Sequence, residues 1–253
     1  MFEELSGKNY IVTGASSGIG RAVCVELSKL KANAVLVARN EERLQETLAK
    51  MEPANHTSFI YDLTDIDGIA GLVEQIYEAN ISIDGIIYCA GYSTKSPLSK
   101  AKYDVLHKDM LISYYAFVEV VRCVIKHKPK QHSMRIVGMS SVASVLSPAY
   151  YLPYSAAKAA LEAAVRVMST ELISKATTIN AIRPAYVDTE MIHTLGFHDF
   201  YGDFNKHIMS VSKFQPLGLI EASDVAKMAV YLVGDAAKSI TGMTFTINGG
   251  ARV

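Results

Sequence analysis

The sequence predicts an α/β protein: a doubly wound, parallel sheet of about seven strands, with helices on both faces, in a single domain. Three observations predict it. Apolar runs of strand length alternate with segments of helical period along the chain. The runs are apolar on both faces, as strands sandwiched between two helical layers must be. The first run, Asn9-Tyr10-Ile11-Val12, leads directly into Thr13-Gly14-Ala15-Ser16-Ser17-Gly18-Ile19-Gly20, a glycine-punctuated turn that opens a helix.

Tyr10–Thr13 is the first strand, and Ala22, Val23, Val25, Leu27 and Leu30 suit the buried side of the helix after Gly20. Ala34–Ala38 is a second buried strand, and Glu41–Met51 is a charged, amphipathic surface helix. Ser58–Tyr61 is the third strand, followed by Asp62-Leu63-Thr64 and a helix near Ile66–Ala79. Ile83–Cys89 is the fourth, ending at Ala90-Gly91, and a long helical region runs from about Lys102 to Lys126. Arg135–Met139 is the fifth strand, Tyr154–Ser174 another long helix and Thr178–Ile182 the sixth strand. After an irregular span, 188–217, Ala222–Val233 is a helix and Met243–Ile247 the seventh strand. No linker, repeat or low-complexity tract divides the 253 residues, so one domain with a large core is expected.

Half of the residues are hydrophobic and 20% charged, as in a soluble globular protein, and 25 basic residues balance 25 acidic ones. A zero formal charge argues against a nucleic-acid partner. Cys24, Cys89 and Cys123 lack metal-site or C-x-x-C spacing and read as reduced thiols. His193, His198 and His207 also lack zinc-like spacing, so no metal is expected. Met1-Phe2-Glu3-Glu4-Leu5 is acidic where a signal peptide is basic, and no long apolar segment follows. The expectation is a cytoplasmic protein with no membrane partner.

The turn at 13–20 carries the first chemistry. Glycines there let backbone N–H groups approach an anion closely, and the helix N-terminus adds a favourable field. Gly14, Ser16, Ser17, Gly18, Ile19 and Gly20 are therefore the expected cradle of a dinucleotide pyrophosphate in a Rossmann-type sheet. A strand–turn–helix connection with glycines only for packing is the plainer alternative. In such folds the end of the second strand reaches the adenosine ribose. Ala38-Arg39-Asn40 offers no carboxylate there, and Arg39 suits a 2′-phosphate, so NADP(H) is preferred, with NAD(H) as the alternative. Asp62 is placed to accept from the adenine amino group, or to cap the next helix, with Leu63 against the ring.

Tyr154-Ser155-Ala156-Ala157-Lys158 sets a phenol and an ammonium one helical turn apart, and Ser140-Ser141 ends the strand before them. Reducing a carbonyl needs a hydride on carbon and a proton on the developing oxyanion. Tyr154 is the plausible acid, Lys158 and the positive charge of an oxidised nicotinamide would lower its pKa by favouring phenolate, and Ser141 would hold the substrate oxygen.

With these residues the chain resembles the classical short-chain dehydrogenase/reductase family. Thr13–Gly20, Asp62-Leu63, Ala90-Gly91, Ser140-Ser141, Tyr154–Lys158, Asn180-Ala181-Ile182-Arg183-Pro184 and Asn248-Gly249-Gly250 fall in that family's order and spacing, over nearly the whole chain. The chain looks most like the 3-oxoacyl-carrier-protein reductase and carbonyl reductase branch. The resemblance implies a catalytic set of Ser141, Tyr154 and Lys158, with Lys158 also binding the nicotinamide ribose. It implies cofactor contacts from Ala90, Gly91, Pro184, Val187 and Thr189, with Val187 at the carboxamide. Ala185 stands where the family has glycine, which matters only if φ is positive there.

Two departures from the family pattern stand out. Cys89 replaces an asparagine at the end of the fourth strand, where a buried thiol is expected to be inert. Met110 falls where the family places an asparagine that holds a water for proton relay, and methionine cannot substitute for it. Ser113 or Asp109 completes the relay, proton resupply is slower, or the true register lies one turn away.

The span His193–Gln215 lacks periodicity and suggests a lid, taken here as about residues 190–215. Its Phe197, His198, Phe200, Tyr201, Phe204, His207, Met209 and Phe214 either favour an apolar carbonyl substrate or pack the lid down. Tyr151 is a further lining candidate. Lys126-His127-Lys128-Pro129-Lys130-Gln131-His132 is a solvated turn or a docking patch for an acidic acyl-carrier protein. Ala156, Ala159, Ala160, Ala163 and Ala164 give the catalytic helix a smooth face, and by resemblance a homodimer or homotetramer is expected. The leading expectation is reduction of a small carbonyl compound to a secondary alcohol. Its alternatives are a 3-oxoacyl-carrier-protein reductase and a non-catalytic nucleotide sensor.

Overall fold

The structure is a computed structural model and describes residues 5–251 other than 80, 131, 147, 195–210 and 212. Its elements follow the apolar runs. Strands β1 (Asn9–Thr13), β2 (Asn33–Ala38), β3 (Thr57–Ile60), β4 (Gly85–Tyr88), β5 (Met134–Met139) and β6 (Thr177–Pro184) precede the short pair β7 (Val187–Asp188) and β8 (Ile220–Glu221) and the last strand, β9 (Thr244–Ile247). The helices are α1 (Gly18–Lys29), α2 (Glu41–Leu48), α3 (Ile69–Glu78), α4 (Tyr103–Met110), α5 (Ala116–His127), α6 (Ala143–Leu146), α7 (Leu152–Leu172), α8 (Glu190–Thr194) and α9 (Ala222–Val233).

Seven strands form one wholly parallel sheet in the order β3-β2-β1-β4-β5-β6-β9. Each strand feeds two cores, because successive side chains point to opposite faces. Ile11 joins Val35, Ile86, Phe117, Val120 and Leu161 on the face covered by α3, α5 and α7. Tyr10 and Val12 join Leu36, Val23, Leu27, Val225 and Leu232 on the face covered by α1 and α9. This is the doubly wound α/β fold that the apolar pattern predicts.

The order reverses between β1 and β4, so the connections after these two strands diverge and leave a crevice at their carboxyl ends. Thr13 pairs with Tyr88 there, and Thr13 Oγ1 accepts from the Cys89 and Ala90 amides, both at 3.1 Å. That link fixes the glycine turn against Ala90-Gly91.

Two expectations change. The long helix predicted from Lys102 to Lys126 is two helices, α4 and α5, joined by a π-helical turn at Leu111–Tyr115. Such a turn is invisible to a 3.6-residue period. The irregular span is also bracketed by β7 and β8, which pair in parallel as a separate two-stranded sheet. The catalytic helix starts at Leu152, with Pro153 in its first turn, where the missing amide breaks no bond. Among the described residues, no helix is long and apolar enough to cross a membrane.

Candidate active site and cofactor cleft

Gly14 and Gly18 adopt φ of +65° and +50°, and a Cβ on Gly20 would stand 2.2 Å from the Gly14 carbonyl oxygen. The turn therefore needs glycine at these places for backbone reasons. Ser17 caps α1 with extended backbone and makes no side-chain capping bond, and the first turn carries no acidic residue. The leading amides of a twelve-residue helix are thus left for an anion.

They face a cleft of about 420 Å³, lined by Gly14, Ser16, Ser17, Gly18, Ile19, Gly20, Arg39, Asp62, Leu63, Ala90, Gly91 and Thr189. Every residue expected on the phosphate and adenosine sides is among them. Arg39 pairs with Asp62 at 3.6 Å, with their side chains 66% and 46% exposed, so a ligand can compete for the guanidinium. Asp62 Oδ1 accepts from the Thr64 amide at 3.0 Å and the Thr64 hydroxyl at 2.8 Å in a local turn; it does not cap the next helix, α3, whose N-cap is Gly68 with no side-chain capping bond. Burial pushes the Asp62 carboxyl up, but the Thr64 bonds and Arg39 outweigh that and hold it below the usual range.

Sequence reasoning missed Arg43. It lines the same cleft beside Arg39 and reaches across to Glu190 of α8. The signal was a second arginine one turn into the helix after β2.

A second cleft, of about 560 Å³, is lined by Ser141, Tyr154, Lys158, Pro184, Val187 and Thr189. It shares Ile19, Cys89, Gly91, Thr189 and Met191 with the first, so the two are continuous. Its other walls are mostly apolar, from Val142, Leu146, Pro148, Tyr151, Tyr186, Ile192, Val211 and Phe214. Phe197, His198, Phe200, Tyr201, Phe204, His207 and Met209 lie outside the described residues.

Three elements bring the catalytic candidates together. Ser141 follows β5, where its Oγ accepts from the Ala143 amide at 3.2 Å. Tyr154 and Lys158 project from α7, with Lys158 Nζ 5.7 Å from the Tyr154 ring centre and donating to the Met139 carbonyl at 2.8 Å. One turn later, buried Glu162 accepts from Arg183 (2.5 and 2.9 Å), Ser140 (2.5 Å) and Ser144 (2.7 Å). This network ties β5, α6, α7 and β6 together around Ser141.

The electrostatics of the protein alone bear on the acid and its lysine. Tyr154 is raised, not lowered: burial dominates and Asp109 adds to it, against the Ser141 hydroxyl. Lys158 falls from 10.5 to about 8 because burial penalises its charge, although Cys89, Asp109 and Glu162 pull it upward. Lys158 is itself desolvated, so its charge does not dominate the phenol.

Burial pushes the Cys89 thiol up to about 12, against the pull of Lys158. It is a protonated thiol on the floor of both clefts. Ala185 is absent from the positive-φ residues, so its replacement of glycine is harmless to the backbone. Met110 is half-buried, whereas Ser113, within the π-helical turn, sits with Lys158 around Gly91: their Oγ and Nζ lie 3.6 and 3.3 Å from where a Cβ on that glycine would stand. Ser113, one turn beyond Met110, borders the same space beside Gly91 as the lysine. The basic run at 126–132 precedes β5, at the amino ends of the strands and away from both clefts.

Comparisons with known proteins agree with this geometry. A family model described as enoyl-(acyl carrier protein) reductase matches residues 14–252. The chain is 29% identical over 250 residues to a 3-oxoacyl-(acyl-carrier-protein) reductase of Pseudomonas aeruginosa, covering 97% of this chain and 98% of that one. A solved dehydrogenase/reductase from Sinorhizobium meliloti superposes with a TM-score of 0.88 at 25% identity, over 100% of this chain and 99% of the other. L-Sorbose reductase from Gluconobacter frateurii, solved with NADPH and L-sorbose, shares the fold with a TM-score of 0.91 at 24% identity, over 99% and 98%.

Proposed function

The chain belongs to the short-chain dehydrogenase/reductase family, oxidoreductases acting on CH–OH and C=O groups with a nicotinamide dinucleotide, and from that premise we propose that it reduces an apolar ketone or 3-oxo compound to a secondary alcohol, using NADP(H) in preference to NAD(H). The observation that carries the reading is the placement of Ser141, Tyr154 and Lys158 on one wall of an apolar cleft that opens into the glycine-turn cleft.

The residues present suit a dinucleotide: the Gly14–Gly20 cradle would close on any Cβ at Gly20, and the amides of α1 carry no side-chain cap. Gly14, Ser16, Ser17, Gly18, Ile19 and Gly20 would hold the pyrophosphate. Asp62, Leu63, Ala90 and Gly91 would flank the adenosine, and Pro184, Val187 and Thr189 the nicotinamide end. Arg39, joined by Arg43, gives the adenosine end two cations suited to a 2′-phosphate. Bound there, the dinucleotide supplies the hydride.

The chain's own residues handle the oxygen. Ser141 donates a hydrogen bond to the carbonyl oxygen and holds it against Tyr154. A phenol with a raised pKa is fully protonated at neutral pH, and Tyr154 passes that proton to the oxygen as negative charge develops. Lys158, pinned to the Met139 carbonyl, stabilises the phenolate left behind. Val142, Leu146, Tyr186 and Phe214 exclude water and set a preference for apolar groups next to the carbonyl.

The test is NADPH oxidation against a panel of ketones, diketones and acyl thioesters. Turnover with at least one of them and loss of about a thousand-fold in kcat for Tyr154→Phe are expected. NADPH binding without any turnover, and a Tyr154→Phe variant indistinguishable from the parent, would sink the reading. A second reading, reduction of 3-oxoacyl groups on acyl-carrier protein, is favoured by the name of the Pseudomonas relative. The basic run lies on the wrong side of the sheet to support it, and relative rates on carrier-linked and free ketones decide. Exposed Ala156, Ala159, Ala163 and Val167 on α7 suit a face covered by a second copy, consistent with a homodimer or homotetramer.

A further inference from the structure

Among the described residues, every charged side chain lining the cofactor cleft belongs to an ion pair. The charged residues there are Arg39, Arg43, Asp62 and Glu190. Arg39 stands 3.6 Å from Asp62, and Arg43 donates to the Glu190 carboxylate. Two guanidinium groups are thus matched by two carboxylates, and the lining is formally neutral. A phosphate entering this cleft must take a guanidinium from a carboxylate.

The two pairs differ in how they are built. Asp62 belongs to a local turn whose Thr64 amide and hydroxyl both donate to Oδ1, so its carboxylate keeps other donors when Arg39 turns to a phosphate. Glu190 reaches Arg43 from the start of α8, 147 residues along the chain, and makes a direct, charged hydrogen bond with it. Arg43 is anchored at its backbone: its amide donates to Asn40 Oδ1 at 2.9 Å in the cap of α2, and its carbonyl accepts from Thr47 Oγ1 at 3.0 Å. Its side chain therefore crosses the cleft from a fixed base. The two side chains are 34% and 58% exposed, so water screens the pair and it is weak. A phosphate offers up to two charges and three acceptor oxygens, which a guanidinium fork grips in bidentate fashion. The exchange runs toward the phosphate, against the pull of Glu190.

We propose that Glu190 is a specificity-determining residue for the cofactor: it competes with the 2′-phosphate for Arg43 and so narrows the preference for NADP(H) over NAD(H). It acts through Arg43 and touches neither the substrate nor the reacting atoms. A dinucleotide without the phosphate leaves the Arg43–Glu190 pair intact, whereas one with it must first break that pair. The exchange rests on the dinucleotide site proposed above, but not on which cofactor that site prefers. Glu190 also heads the helix between the two clefts, since Met191 lines both and Ile192 the second.

The experiment is calorimetric titration of the full chain with NADP+ and with NAD+, reading the ratio of their dissociation constants, which needs no substrate. Glu190→Gln, which keeps the size of the side chain and removes its charge, should raise the preference for NADP+ about threefold. Arg43→Ala should lower that preference, and in its background Glu190→Gln should change the ratio little, because the competition has lost its object. A ratio unchanged or lowered in Glu190→Gln overturns the proposal, as does the same rise in the absence of Arg43. If Glu190→Gln does not fold, Glu190→Asp, whose shorter side chain draws the carboxylate back from Arg43, should raise the ratio by a smaller factor, and an unchanged ratio overturns the proposal instead. A parent that binds NADP+ no tighter than NAD+, with the ratio still rising in Glu190→Gln, would sink the NADP(H) preference and leave the exchange standing.

Discussion

At the scale of single residues, Lys158 carries opposing demands. The proposed reduction uses its charge, while its burial opposes that charge. Its pKa in the fold, about 8, lies below its ordinary 10.5. Between those values the unfolded chain binds the extra proton, so stability from this group rises with pH across that window. At neutral pH the buried charge is a net cost. Lys158→Met should therefore abolish reduction yet stabilise the substrate-free protein by about 2 kcal/mol at neutral pH, read from denaturant midpoints. The gain should shrink as pH climbs above about 8; a destabilised variant would show that the bond to Met139 outweighs desolvation. That Lys158 and Tyr154 lie one turn apart on a single helix was legible in the sequence, and both line the second cleft. The sequence left Arg43 and Glu162 unassigned, because their roles depend on which elements pack beside them.

At the scale of elements, the joint between β5, α6, α7 and β6 depends on Glu162. Burial pushes its carboxyl up, but the hydrogen bonds from Arg183, Ser140 and Ser144 outweigh that and hold it below the usual range. For a carboxyl lowered by folding, the stabilisation is present above its unfolded pKa and is lost as pH falls through the folded value. The acid arm of the stability curve should thus be steeper in the parent than in Glu162→Gln. At neutral pH that variant should lose about 3 kcal/mol, since half-buried Arg183 is left without its charged partner. A loss below about 0.5 kcal/mol, the size of an exposed pair, would show that the network does not hold the joint. The π-helical turn at Leu111–Tyr115 belongs to this scale too. The sequence predicted one helix there, because one extra residue per turn does not disturb the apolar pattern. That turn places Ser113, rather than Met110, beside Gly91.

At the scale of the molecule, ligand binding across the β1/β4 crevice should be read in global stability. A dinucleotide at a hundred times its Kd contributes about 2.7 kcal/mol, or on the order of 5–10 °C in Tm for a chain of this size. NADPH should raise Tm more than NADH at equal concentration, and Arg39→Ala should erase most of that difference; equal shifts with both cofactors would remove the case for a 2′-phosphate. By itself the sequence determined the sheet, its two helical layers, the glycine turn and the Ser141, Tyr154 and Lys158 set. These rest on local requirements: which runs are apolar, where a Cβ cannot stand, which side chains share a helix face. Only the tertiary structure decided that burial raises the phenol in the protein alone, that Arg43 joins Arg39, that the basic run faces away from the clefts, and that Asp109 is buried in α4. Those are matters of burial and of contacts between residues far apart in the chain, and such distances exist only once the sheet has closed around them.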